Sequence, residues 1–102
     1  MSALEQHIDP SKPAYQLMPW DAMDQVALAF AYGAHKHGAG DYRGPEGPSV
    51  AYCCGAAHRH LSAAQQGQQH DPESGLHPLA HAAARAIIAL HLSLAQPPSE
   101  DL

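Results

Sequence analysis

Most of the side chains able to do chemistry in this 102-residue sequence fall between Arg59 and Arg85. The segment opens with Arg59-His60-Leu61, turns through glutamines to Gly67, continues as Asp71-Pro72-Glu73-Ser74-Gly75-Leu76, and closes with His77, His81 and Arg85. The last three recur every four residues, which lines them along one slowly drifting stripe of a helix with 3.6 residues per turn. Asp71 and Glu73 carry the hard oxygen donors that Mg²⁺ prefers, while Lys36, Arg59 and Arg85 carry positive charge. His60, His77 and His81 can hydrogen-bond phosphates, move protons or ligate a metal. Cleaving a triphosphate needs these parts: cations or a metal to neutralise developing charge, and a base or oriented water as nucleophile source.

The elements that must position these groups read as helices. Residues 1–18 hold Pro10 and Pro13 without sustained periodicity, an arm that Tyr15, Leu17 and Met18 can anchor to the body or to a neighbour. Pro19 suits a helix start, Asp21 and Asp24 favour the positive end of the helix dipole, and a first helix is predicted over Trp20 to His37. Its inner face is Met23, Val26, Ala27, Phe30, Ala31 and Ala34, and Trp20 reads as a core anchor. Four glycines and two prolines between Gly38 and Pro48 make a loop, which also carries Asp41, Tyr42, Arg43 and Glu46. Ser49 caps a second helix to about Gln66, with Val50, Cys53, Cys54, Ala57, Leu61 and Ala64 inward. Pro78 opens a third helix with the stripe Leu79, Ala82, Ala83, Ala86, Ile87, Leu90 and Leu94, ended by Pro97 and Pro98 before a disordered acidic tail over 96–102.

No segment shows strand patterning and no repeat is present, so the expectation is an all-α protein: a small bundle of about three main helices over 19–95. At this length, with 6% aromatic residues, one chain builds a thin core, and helices of a second subunit are expected to complete it as a homo-oligomer. A net charge of −5 with only five Lys and Arg argues against nucleic-acid binding, so any polyanion held must be small. Cys53 and Cys54 are adjacent, outside disulfide geometry, and read as reduced and buried. No stretch approaches the roughly 20 apolar residues of a membrane span, and no leader pattern opens the chain; the cytoplasm is the expected compartment.

Met18-Pro19, Gly33-Ala34, Lys36 with Gly38, Arg59-His60-Leu61, Gly67, the run Asp71 to Leu76, and Leu79 with His81-Ala82 together resemble the small dATP/dGTP diphosphohydrolase family, found mostly in phage genomes and related in proposed activity to MazG-like pyrophosphohydrolases. The resemblance covers roughly residues 12 to 92, and the run from Asp71 at its distance from Arg59 is its specific part. It implies a helical, oligomeric protein in the host-cell cytoplasm. Such a protein binds purine deoxynucleoside triphosphates with Mg²⁺ and releases the monophosphate and pyrophosphate. Asp71 and Glu73 would act on the metal, with Lys36, Arg59, His60, Ser74, His77, His81 and Arg85 on the substrate.

Four departures bear on that reading. Gln68 stands where the family commonly has an acid, Ala64 or Gln65 where it has an aromatic, and His77 one place before the usual first histidine, which is Pro78 here. Arg85 replaces a neutral residue; a fixed cation 4 Å from a divalent metal is repelled by about 4 kcal/mol per unit charge at an effective dielectric near 20, whereas beside a phosphate it attracts. The alternative to hydrolysis is a sponge that sequesters a nucleotide or nucleotide immune signal on the same scaffold. Plainer readings stand beside both: Asp71 to Gly75 as an ordinary Asx turn, His77 as a helix cap, His81 as a core histidine, Lys36 as a solvated helix end, and the whole as a His-rich metal-binding or structural bundle.

Overall fold

The structure is a computed structural model and describes residues 7–95. Three helices carry it: α1 over Trp20–His37, α2 over Val50–Gln65 and α3 over Pro78–Ala95. Short 3-10 turns at Tyr15–Leu17 and Asp41–Arg43 are the other regular elements, and no strand occurs among the described residues. The helix ends follow local chemistry. Ser49 Oγ accepts the Tyr52 N–H at 3.0 Å, satisfying one of the orphan donors of α2. The Gly38 N–H donates to the Ala34 carbonyl at 2.8 Å and closes α1. Pro78 starts α3, where its missing N–H costs no helical bond. The tail and the two closing prolines lie outside the described residues.

α3 is the shared element. It packs extensively along α2 and over a shorter stretch against α1. Val26 and Ala29 of α1 meet Ala80 and Ala84 of α3, with Phe30, Leu76 and Ala83 closing around them. The buried face of α2 is Cys53, Ala56 and Ala57. Alanines and a cysteine present little bulk, so the helix backbones come close and the longer polar side chains of neighbouring positions can touch.

Several expected inner positions face outward instead. Cys54 is exposed, while Cys53 alone is fully buried. Trp20 is 54% exposed and anchors no core. On α3 the buried residues are Pro78, Ala80, Ala82, Ala84 and Ala89, whereas Leu79, Leu90 and Leu94 remain 49%, 58% and 77% exposed. Tyr15, Leu17 and Met18 are exposed too, so they do not anchor the arm to the body of their own chain. For α3 the physical reason is that α1 and α2 both settle on its small-residue side, which leaves its large-residue side without a partner. α3 is also long and apolar enough to cross a membrane by length and composition alone.

A radius of gyration of 16.4 Å exceeds the ~13 Å of a compact 100-residue domain, in keeping with an open arrangement. We therefore expect these apolar side chains to be covered by a second copy. Sedimentation velocity at micromolar concentration should give a mass of at least twice 10.8 kDa, and Leu90→Glu should shift it towards the single chain. A wild-type species at 10.8 kDa would refute self-association.

Candidate functional site

The site is built outward from the turn between α2 and α3. Asp71 Oδ2 accepts the backbone N–H of Glu73 at 3.0 Å and of Ser74 at 2.9 Å. The main chain closes the same knot: Gly75 N–H donates to the Asp71 carbonyl at 2.8 Å, and Asp71 N–H to the Leu76 carbonyl at 2.7 Å. Gly75 takes φ 79°, in the left-handed region that a side chain would strain. Partial burial pushes the Asp71 carboxyl up, but the hydrogen bonds from Ser74 and Glu73 outweigh it and hold the carboxyl below its usual value. Asp71 is therefore an anion with one oxygen occupied by the turn.

This knot delivers two side chains. Ser74 Oγ accepts the Leu76 N–H at 3.2 Å and lies 2.6 Å from His81 Nε2, which can take its hydroxyl proton. The His81 ring stacks on His60 of α2, with centroids 5.0 Å apart and planes at 24°, and Tyr32 of α1 meets it edge-on at 5.8 Å. Burial, then the neighbouring His81, then Arg85 and Arg59 depress the His60 pKa against the pull of Asp71, so His60 resists protonation. Glu73 turns the other way and meets Lys36 Nζ at 2.7 Å. Tyr32 donates to Glu73 as well; that hydrogen bond, with burial and the nearby carboxylates, pushes the phenol up to about 12, while Lys36 and Tyr32 hold Glu73 below its usual range. Both ends of the Lys36–Glu73 pair are exposed, so it adds little to stability and serves to place charge at the mouth of the site.

A cavity of about 430 Å³ opens among these groups. Lys36, His60, Asp71, Glu73, His81 and Arg85 line it, and Phe30, Tyr42 and Ile88 continue it along α1 and α3. Three other candidates, His77, Arg59 and Ser74, stand apart from its lining. His77 Nδ1 accepts the Leu79 N–H at 3.0 Å, which caps α3. Arg59 lies over the Tyr52 ring, 6.0 Å from its centroid, with Arg85 over the same ring at 5.8 Å. Ser74 supports the site through His81. Sequence reasoning passed over Tyr32 and Tyr52, and named Tyr42 in the loop without giving it a role. Tyr32 carried a usable signal, since it precedes Lys36 by one helical turn and must share its face.

A family model described as dATP/dGTP diphosphohydrolase, N-terminal, matches residues 2–101. The chain belongs to this family. No curated protein and no solved structure matches it. The match covers nearly the whole chain and takes in the 12 to 92 span on which the resemblance was read.

For a member of the dATP/dGTP diphosphohydrolase family, the donor set bears on Mg²⁺. Among the described residues no three His, Cys, Asp or Glu side chains group as a metal cage would require. Of the two carboxylates, Asp71 has one oxygen committed to backbone N–H groups and Glu73 is paired with Lys36. Mg²⁺ is commonly held by one or two carboxylates together with substrate phosphates, and Asp71 and Glu73 are the carboxylates that would hold it.

The Asp71 turn gives a direct test. Asp71→Ala should lower the free energy of unfolding by about 1.5 to 3 kcal/mol, the range for hydrogen bonds to a charged group, in urea titrations. Because the folded state favours the ionised carboxyl, the wild-type excess should be complete above the unfolded value of about 3.9 and vanish as pH falls through the lower folded value. Equal stability of the two proteins at pH 7 would place the turn's strength elsewhere.

Proposed function

We propose that this chain binds the triphosphate of a purine deoxynucleoside triphosphate in the cavity and hydrolyses it to the monophosphate and pyrophosphate, with Mg²⁺ entering on the substrate. The observation that carries the reading is the convergence, on one cavity, of Lys36, Arg85, two carboxylates and the His60–His81 stack in a chain of this family. The ligand is a small nucleotide and the protein a homo-oligomer of the cytoplasm, the host's for a phage-encoded chain, without a nucleic-acid or membrane partner.

In this reading the phosphates displace Glu73 from Lys36, because a multiply charged oxyanion competes better for the ammonium than a single carboxylate does. Glu73 and the free oxygen of Asp71 would hold an ion carried by the triphosphate, and that ion would neutralise phosphate charge. Lys36 and Arg85 stabilise the charge that develops on the leaving pyrophosphate. A water oxygen forms a bond to the α-phosphorus, the bond from that phosphorus to the bridging oxygen breaks, and its electron pair leaves with pyrophosphate. The proton of the water passes to His60, whose depressed pKa keeps its imidazole neutral and able to accept.

A second reading, sequestration without cleavage, is favoured by the prior engagement of both carboxylates. Incubation with a panel of nucleoside triphosphates and cyclic nucleotides, with and without Mg²⁺, separates the two by chromatography of free and heat-released ligand. Mg²⁺-dependent appearance of monophosphate supports hydrolysis; an intact nucleotide that disappears and returns on heating supports sequestration. Neither outcome would leave a structural bundle.

Two substitutions refine this. Glu73→Gln should abolish hydrolysis while tightening triphosphate binding in EDTA, since Lys36 loses its competing partner; unchanged turnover would remove Glu73 from the chemistry. Arg85→Ala should weaken nucleotide binding by about 1.5 to 3 kcal/mol, as for a charge-assisted hydrogen bond, and by a similar amount with EDTA or Mg²⁺ in calorimetry. No loss in either condition would show that Arg85 serves only the Tyr52 stack.

A further inference from the structure

The cavity has two chemically different ends. On α3 it runs from His81 to Ile88, seven residues or about 10 Å of helix, and on α1 from Lys36 back to Phe30, six residues or about 9 Å. Lys36, Glu73 and His81 mark one end of this length, as their mutual contacts require. At the other end Tyr42, from the 3-10 turn of the Gly38–Pro48 loop, meets Phe30 of α1 at 6.1 Å and His91 of α3 at 5.7 Å, both edge to face. Arg43 lies 5.1 Å from the Tyr42 ring centroid and also lines the cavity.

The loop is shaped to hold Tyr42 there. A Cβ at Gly47 would stand 2.7 Å from the Tyr42 carbonyl oxygen and 3.0 Å from that of Asp41, so the chain can fold back over the turn only with glycine at this position. The Gly47 N–H donates to the Gly44 carbonyl at 3.0 Å and secures the fold-back. The result is a half-buried aromatic ring wedged between two helices, with an adjacent guanidinium. Aromatic rings and arginine planes accept nucleobases by stacking, with little dependence on hydrogen-bond pattern.

We infer that Tyr42, backed by Phe30 and Ile88 and flanked by Arg43, seats the nucleobase of the ligand whose phosphates lie at Lys36 and Arg85. This rests on the nucleotide reading above and adds to it a binding residue and an orientation: base towards the C-terminal half of α3, phosphates towards its N-terminus. It also explains why the loop reaches across both helices instead of connecting α1 to α2 by a shorter path.

The test compares a deoxynucleoside triphosphate with inorganic tripolyphosphate, which has no base. Wild type should bind the nucleotide more tightly than tripolyphosphate. Tyr42→Leu, which keeps apolar packing against Phe30, should lose about tenfold or more of the nucleotide affinity and keep the tripolyphosphate affinity, and Tyr42→Phe should behave as wild type. A triphosphate carrying fluorescent 2-aminopurine should be quenched on wild type and Tyr42→Phe but not on Tyr42→Leu, a signature that a merely structural role would not give. Parallel loss of both ligands in Tyr42→Leu, or loss of neither, overturns the base seat while leaving phosphate binding intact. Wild type that binds tripolyphosphate and nucleotide equally also overturns it, and wild type that binds neither ends the nucleotide reading itself.

Discussion

One carboxylate oxygen holds this site in register. By accepting the N–H groups of both Glu73 and Ser74, Asp71 Oδ2 fixes the backbone from which those two side chains leave in opposite directions. Ser74 goes to His81 on α3, and Glu73 goes to Lys36 and Tyr32 on α1. Without the turn, α1 would be tied to the rest of the chain mainly through the small patch of Val26, Ala29, Ala80 and Ala84. An ordinary Asx turn and a functional segment are thus the same object here: the turn's hydrogen bonds are the means by which the functional side chains are aimed.

The small residues of the helices make the second contribution. His60 and His81 can stack at 5.0 Å because their helices approach over Cys53, Ala56, Ala57 and the alanines of α3. Larger residues at those positions would add burial and push the rings apart. The cost is visible on the far side of α3, where Leu79, Leu90 and Leu94 find no partner within the chain. A bundle that gives its tightest interface to a pair of imidazoles must find apolar burial elsewhere, which is the physical argument for a second copy.

The helix boundaries were legible in the sequence because they depend on local signals. Pro19, Gly38, Ser49 and Pro78 each act within one turn of themselves: α1 begins and ends beside the first two, and α2 and α3 begin at the others. The buried faces were less legible. Periodicity reports which residues are apolar, but the side of α3 that its neighbours choose depends on how closely they can approach, and alanine won over leucine. Among the site residues, His81 and Arg85 sit together on the cavity as their four-residue spacing implied, while His77 falls at the cap, where Pro78 begins the helix. Tyr42 was named in its loop but given no role, because a glycine-rich loop carries no periodic signal; its place depends on contacts with α1 and α3 that only the folded chain supplies.

The charges around the cavity constrain what it can hold. Lys36, Arg43 and Arg85 face Asp41, Asp71 and Glu73 across the same space, so the fixed charges nearly cancel. His60 adds little, since it is held below its ordinary pKa by burial and by its neighbour. A bare triphosphate, with several negative charges, would gain little net attraction from such a wall and would leave Asp71 and Glu73 repelled at close range. A triphosphate already carrying a divalent ion presents the opposite pattern, with oxyanions for the cations and a metal for the carboxylates, and each wall charge meets its complement. On the proposed reading, charge balance favours the metal-loaded nucleotide over the bare one, and the three acids take a role that phosphate binding alone would not need.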